Sequence, residues 1–326
     1  MKSNLFFIIF IITTSSCEHS PSPSSVEDAS IPNDGTMDDA ESAAVDAASA
    51  DAGFDPSRAV PPRSDDFAVI EPELPPCPKD MVRVRKSFCI DRFEASLVDA
   101  ETGQALSPYY MPARKNALSI QDFWEKERLN VGPADAREIK LPPIPPWQKN
   151  REFEPKAVSQ KNKVPQGYLT GPLALLACKN AGKRLCSHDE WRTACRGEAD
   201  RPFPYGDKYV AGKCNIFREA HPAAVLHGNP SVGHSDPRLN TVKSDDKLLL
   251  RMTGDTRTCI SEWEGPGEGI YDMVGNIDEW IDDPEGTFVG GFYARSKKDG
   301  CDSVVKGHPF DYFDYSTGVR CCKDLK

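Results

Sequence analysis

Ten cysteines fall between positions 77 and 322, at Cys77, Cys89, Cys178, Cys186, Cys195, Cys214, Cys259, Cys301, Cys321 and Cys322. An even set of this size in a chain that carries an export signal reads as five disulfides. The competing use of clustered cysteines is zinc, but no CxxC pair or cysteine–histidine finger spacing occurs. Spacing alone does not choose a connectivity. Cys321 and Cys322 are neighbours, and on a strand their side chains point to opposite faces, so they should serve two different partners.

The export signal lies at the N-terminus. Lys2 is followed by Leu5-Phe6-Phe7-Ile8-Ile9-Phe10-Ile11-Ile12, an apolar run far below the roughly 20 residues that span a bilayer. Thr14-Ser15-Ser16-Cys17 then resembles a bacterial lipobox, in which the cysteine is acylated and becomes the new N-terminus. Thr14 stands where that pattern prefers Leu, and simple secretion with Cys17 near the cleavage point is the other reading. Residues 1–17 are thus expected to be a lipoprotein-type signal peptide that sends the chain to the cell envelope. It would hold to a membrane only through the Cys17 lipid, at the outer membrane in a Gram-negative cell.

Residues 18–66 carry 12 Asp and Glu against 2 Lys and Arg, with Ala, Ser and Pro filling the rest. Such a segment cannot bury enough surface to offset its ordering entropy, and it is expected to be a disordered tether. Setting aside the tether and Lys2 leaves 37 basic and 38 acidic residues, so the acidity of the whole chain belongs to the tether. The remainder, 67–326, has no basic excess for a nucleic-acid backbone. Its length suits one large domain with a real core.

Within that domain, Met81-Val82-Arg83-Val84-Arg85 alternates apolar and charged residues, and Ser87-Phe88-Cys89-Ile90-Asp91-Arg92-Phe93 resumes after Lys86, as in a hairpin that Cys77–Cys89 could staple. Residues 100–165, rich in Pro and charge, suggest extended wrapped structure with one short helix at Ile120 to Arg128. A helix over Gly171 to Ala181 has Leu173, Leu176, Ala177 and Asn180 at helical spacing, and Gly182 suits its C-terminal end. Ser187-His188-Asp189-Glu190 is a capping box for a second helix that buries Trp191, Ala194 and Cys195. Phe203 to Pro266 reads as long loops, and strands return near Thr287 to Tyr293 and Gly318 to Cys322. The fold class is α+β, loop-rich, with short strands and two main helices.

Several stretches together resemble the formylglycine-generating enzyme, or sulfatase-modifying factor, family. They are Phe88 to Glu94, Gly182-Lys183-Arg184-Leu185 with Glu190-Trp191, Phe203-Pro204-Tyr205-Gly206-Asp207, and Tyr271 to Asn276 with Glu279-Trp280. Gly290-Gly291 and Gly318-Val319-Arg320-Cys321 complete a set that runs in family order over residues 77 to 322. The resemblance implies a compact fold related to C-type lectins. It also implies Cys195–Cys301 and Cys178–Cys321, with Cys214–Cys259 then left as a loop staple and Cys186–Cys322 as the last pair.

The family's oxidase converts a peptide cysteine to formylglycine with oxygen and a copper ion held by two cysteines after the Gly-Gly. Here Arg295 and Gly300 stand at those positions, and Phe292 stands where a serine is expected. Copper(I) wants soft thiolates, so copper is not expected, and no catalytic residue is assigned. The resemblance also implies a structural calcium held by Asp272 and Glu279 through side chains and by Gly275 and Ile277 through carbonyls. These are the hard oxygen donors that calcium prefers, although Glu279 could instead cap backbone amides. A second family site would involve Asn215 and Ile216.

His221, His227 and His234 match no ligand spacing and read as surface or loop histidines. His308 with Tyr312 and Tyr315 reads as aromatic packing or, alternatively, a pocket lining. No Ser–His–Asp arrangement stands out. The expected function is an envelope-anchored binding module for a protein, peptide or glycan. The alternative is an oxidoreductase with a shifted active site.

Overall fold

The computed structural model describes residues 75–295 and 298–325, all within one compact unit, Val69–Lys326. The signal peptide, the tether and Cys17 lie outside the described residues.

Strand β1, Met81–Val84, and strand β2, Phe88–Asp91, form the expected hairpin, with Val82 opposite Ile90 and Val84 opposite Phe88. Those four side chains enter the core, and Arg85 turns the chain with a positive φ of 53°. Strand β3, Ala95–Asp99, pairs antiparallel with β4, Pro155–Ser159.

Between β3 and β4 the chain is more helical than its proline content suggests. Helix α1 spans Arg114–Glu127, beginning six residues before the short helix expected at Ile120, and it buries Ala117 and Trp124. It is the longest helix among the described residues, so the expectation of two main helices is corrected to three. Short helices α2, Ala134–Glu138, and α3, Pro146–Asn150, follow. Pro146 starts α3 because the first helical position needs no amide donor and proline's φ is already helical. The expected extended structure lies on either side of α3, at 139–145 before it and in β4 after it.

Helix α4, Gly171–Asn180, is capped by the Thr170 hydroxyl and buries Ala174, Ala177 and Cys178. Its inward face is therefore made of small residues, whereas Leu173 and Leu176 are only half-buried. Strand β5, Arg184–Leu185, leads to helix α5, His188–Arg196. There the Ser187 side chain accepts from the Glu190 amide, the Glu190 carboxylate accepts from the Ser187 amide, and Trp191, Ala194 and Cys195 face the core.

The long loop region contains helix α6, Pro222–His227, a 3-10 turn at Leu239–Thr241, and the small hairpin of β6, Lys243–Ser244, with β7, Lys247–Leu248. A second hairpin joins β8, Ile260–Glu262, to β9, Gly269–Tyr271.

Strands β10, Asp278–Trp280, β11, Phe288–Val289, β12, Val304–Val305, and β13, Thr317–Val319, make a sheet in the order β12-β11-β10-β13. β10 lies parallel to β13, so Asp278, Glu279 and Trp280 stand opposite Thr317, Gly318 and Val319. The last strand, β14, Cys321–Asp324, inserts between β2 and β5 in the order β1-β2-β14-β5.

Five disulfides join Cys77 to Cys89, Cys178 to Cys321, Cys186 to Cys322, Cys195 to Cys301 and Cys214 to Cys259. The adjacent Cys321 and Cys322 tie β14 to α4 on one side and to the segment before α5 on the other. No helix of the described residues is long and apolar enough to cross a membrane.

Candidate functional site

The turn from β9 into β10 brings Asp272, Gly275, Ile277 and Glu279 onto one buried bend. Asp272, Gly275 and Asn276 have positive φ values of 58°, 83° and 61°. Glycine is required at 275, because a Cβ there would lie 2.3 Å from the Asn215 carbonyl oxygen.

Asp272 is 2% exposed; its Oδ2 accepts the Gly254 amide at 2.7 Å, and its Oδ1 has no partner. Burial pushes its pKa up to about 7. Glu94, just before β3, reaches the same place. Its Oε2 accepts from Asn276 Nδ2 at 2.7 Å, while its fully buried Oε1 has no partner. Burial, followed by the charges of Asp272 and Glu279, raises its pKa well above the carboxylate range.

Glu279 is engaged differently. Arg320 Nη2 donates to its Oε1 at 2.9 Å, Arg320 Nε to both oxygens at 3.1 Å, and Trp191 Nε1 to Oε2 at 2.6 Å. Arg320 also holds the Asp91 and Tyr271 carbonyls. Three buried carboxylates therefore face one buried guanidinium, leaving the cluster two negative charges out of balance if all ionise. A divalent cation redresses that imbalance, and two orphaned carboxylate oxygens with the Gly275 and Ile277 carbonyls make a hard donor set. The residues fit calcium on these grounds. Glu279 is the least available of them, since both its oxygens already accept hydrogen bonds. Among the described residues no three His, Cys, Asp or Glu side chains group as a metal site.

The residues Asn215 and Ile216 sit beside this bend. Asn215 Oδ1 accepts from Arg218 Nε at 2.8 Å, which places a guanidinium where a second cation would need that oxygen.

The positions after Gly291 are occupied in a way that leaves no thiolate pair. The Arg295 guanidinium binds the carboxylate of Asp278, which has no exposed surface. Gly300 has φ 59°, and a Cβ there would lie 2.3 Å from the Pro202 carbonyl oxygen and 3.0 Å from the Phe203 ring, so a cysteine could not stand there without moving backbone. Cys301 is bonded to Cys195.

His234 lies in a loop, as the surface or loop reading expects, whereas His227 departs from it. His227 is buried at the end of α6, with Nε2 3.3 Å from Asp236 Oδ2, and Arg238 pairs with the same oxygen at 2.6 Å. His221 Nε2 lies 3.2 Å from the Tyr315 hydroxyl, and His234 Nε2 lies 2.9 Å from the Pro230 carbonyl oxygen. His308 stacks on Tyr312 with ring centroids 4.0 Å apart, and Phe288 stacks on His308 at 5.5 Å. Tyr315 packs elsewhere, against Phe292, Tyr293 and the His221 edge.

Glu94 and the pairing of Arg320 with Glu279 were not assigned roles from sequence. The signal was available, because Glu94 closes the matched stretch that begins at Phe88, and Arg320 sits within Gly318-Val319-Arg320-Cys321.

Residues 73–325 match the family described as "Sulfatase-modifying factor enzyme 1-like domain". Among curated relatives, the formylglycine-generating enzyme of Streptomyces coelicolor is 29% identical over 120 residues, covering 36% of this chain and 30% of that protein. The protein YfmG of Bacillus subtilis is 32% identical over 101 residues, covering 30% of this chain and 19% of that protein. The chain thus spans less than a third of each. Among solved structures, the Major Tropism Determinant I1 variant aligns with a TM-score of 0.39 at 10% identity, covering 76% of this chain and 53% of that one. PvdO from Pseudomonas aeruginosa aligns with a TM-score of 0.33 at 15% identity, covering 73% and 80%.

Proposed function

The chain belongs to the sulfatase-modifying factor enzyme 1-like family, and from that membership we propose that it is a calcium-supported binding module without formylglycine-generating activity. The observation that carries this is the occupation of the oxidase position: an Arg295–Asp278 ion pair and a closely packed Gly300 replace the two thiolates copper needs, and Cys301 is committed to Cys195. Its ligand is a protein, peptide or glycan rather than a nucleic acid. Glu94, Asp272, Gly275 and Ile277 would hold the calcium, with Glu279 braced behind them by Arg320. When bound, the ion supplies charge balance and fixes the β9–β10 bend. The chain's own contribution is to hold the bend closed through Asn276, whose side chain links Glu94, Asn215 and Arg251.

The disulfides suit an oxidising compartment. Together with the apolar start and Cys17, they support an exported protein held to the envelope by a lipid on Cys17 and displayed on the 18–66 tether.

The test is non-reducing mass spectrometry of the purified chain, followed by copper analysis and an assay for cysteine oxidation in a substrate peptide. A Cys195–Cys301 peptide with no copper retained and no oxidation is expected. A free Cys301 thiol with bound copper and oxidised peptide would instead establish the shifted-site oxidoreductase.

A further inference from the structure

Ten buried side-chain atoms among the described residues lack a hydrogen-bond partner. Two of them, on Glu94 and Asp272, belong to the metal centre. Three others, Asp278 Oδ1, Arg295 Nε and His221 Nδ1, gather in a second place. Such atoms are rare in buried positions, so a cluster of three calls for an explanation other than folding.

The three are linked through aromatic rings. The Arg295 guanidinium binds Asp278 and lies 5.1 Å over the Phe292 ring. Phe292 meets His221 edge-on at 6.2 Å and Tyr315 at 5.6 Å, and the Tyr315 hydroxyl returns to His221 Nε2. Ser316 Oγ also donates to Asp278 Oδ2, at 3.4 Å. The side chain of Arg295 is 21% exposed and His221 is half-buried, so the cluster reaches the surface at those two residues.

The chemistry of the cluster selects its ligand. The Arg295 guanidinium already pairs with the Asp278 carboxylate, so the cluster offers hydrogen-bonding atoms rather than an unpaired charge. The unpartnered set offers one acceptor, one donor and one ring nitrogen whose role follows its tautomer. A hydroxyl carries donor and acceptor on one atom, so two adjacent ring hydroxyls satisfy Asp278 and Arg295 together. The C–H face of the same ring can lie on the rim aromatics.

We propose that Asp278, Arg295 and His221, with Phe292 and Tyr315, form a recognition site for a neutral hydroxylated ring, a saccharide unit. Arg295 and Phe292 stand at positions where the family resemblance puts oxidase chemistry, and the proposal rests on the binding-module reading.

The test uses the full-length chain on an array of immobilised neutral and acidic glycans, followed by calorimetry with the best-retained free oligosaccharide and with trialanine capped as its N-acetyl amide, an uncharged peptide. A neutral glycan should be retained, and Asp278→Asn and Phe292→Ala should each weaken it at least tenfold. His221→Ala, at the rim, provides a variant less exposed to folding failure, and should weaken it at least threefold with the thermal midpoint unchanged. No glycan retained, or retention equal in all three variants, overturns the site. Trialanine binding that the same variants abolish overturns the saccharide class but leaves the binding module standing. Peptide oxidation by copper-loaded protein sinks the binding module itself.

Discussion

Arg295 closes over Asp278 across the loop that leaves β11, so an aspartate with no exposed surface is neutralised by an arginine that keeps 21% of its side chain in solvent. Removing the arginine strands a buried charge. Arg295→Ala should therefore destabilise the domain by about 3 kcal/mol, and adding Asp278→Asn to it should recover much of the loss. Chemical denaturation of the two single variants and the double variant measures this. Independent, additive effects would show that the pair is not coupled.

The proposed calcium site predicts a rise in thermal midpoint with calcium. At a hundredfold excess over Kd, a ligand that binds only the native state adds about 2.7 kcal/mol. Asp272→Asn and Glu94→Gln should each remove most of that rise in differential scanning fluorimetry, and a chelator should reverse it in the unmodified chain. An equal rise in both variants would place the ion elsewhere.

Without calcium, acidity should help this fold over a defined window. Burial raises Asp91 to about 6, and Asp272 and Asp278 to about 7, whereas unfolded aspartates titrate near 4. Between those values the native state binds more protons than the unfolded one, so stability falls as pH rises from about 4 to 7. The calcium-free thermal midpoint should be higher at pH 5 than at pH 7.5. Calcium, which binds the deprotonated carboxylates, should narrow or invert that difference.

The disulfides should rank by loop length. On the chain-entropy model the 143-residue separation of Cys178–Cys321 corresponds to about 5 kcal/mol, and the 12-residue separation of Cys77–Cys89 to about 3 kcal/mol. Paired Cys→Ala variants, unfolded in denaturant, test the order.

Restoring cysteines should not restore an oxidase. Arg295→Cys with Gly300→Cys ought to lose stability and retain no copper, because residue 300 has a left-handed backbone and the Pro202 carbonyl lies 2.3 Å from any Cβ. Stoichiometric copper on a folded double variant would contradict this.

Much of the domain was legible because its signals are local. The alternation at Met81–Arg85, the Ser187–Glu190 box and the Trp191, Ala194 and Cys195 spacing each act within a few residues. Helix α1 was half missed because its apolar residues do not make one buried stripe: Ala117 and Trp124 are its buried residues, while Leu118 and Ile120 are half-buried and Phe123 is exposed. Tertiary packing, not amphipathic pattern, fixes it. At the candidate site, the β9–β10 bend was visible in Asp272 to Glu279. Its neutralisation was not, because Glu94 and Arg320 arrive from strands far away in sequence, and only the folded sheet brings them together.

The final strand has a further consequence for how such a chain is made. β14 lies between β2 and β5 and carries the partners of Cys178 and Cys186. A chain oxidised in the order its cysteines emerge would join 77 to 89 correctly, and then 178 to 186, 195 to 214, 259 to 301 and 321 to 322. Four of those five bonds are absent from the native set, in which 195–301 encloses 214–259 and the two outer bonds cross. Maturation therefore requires either a chain kept reduced until its last residues are delivered or a thiol catalyst that reshuffles early mistakes, and the yield of active protein should follow the supply of that catalyst.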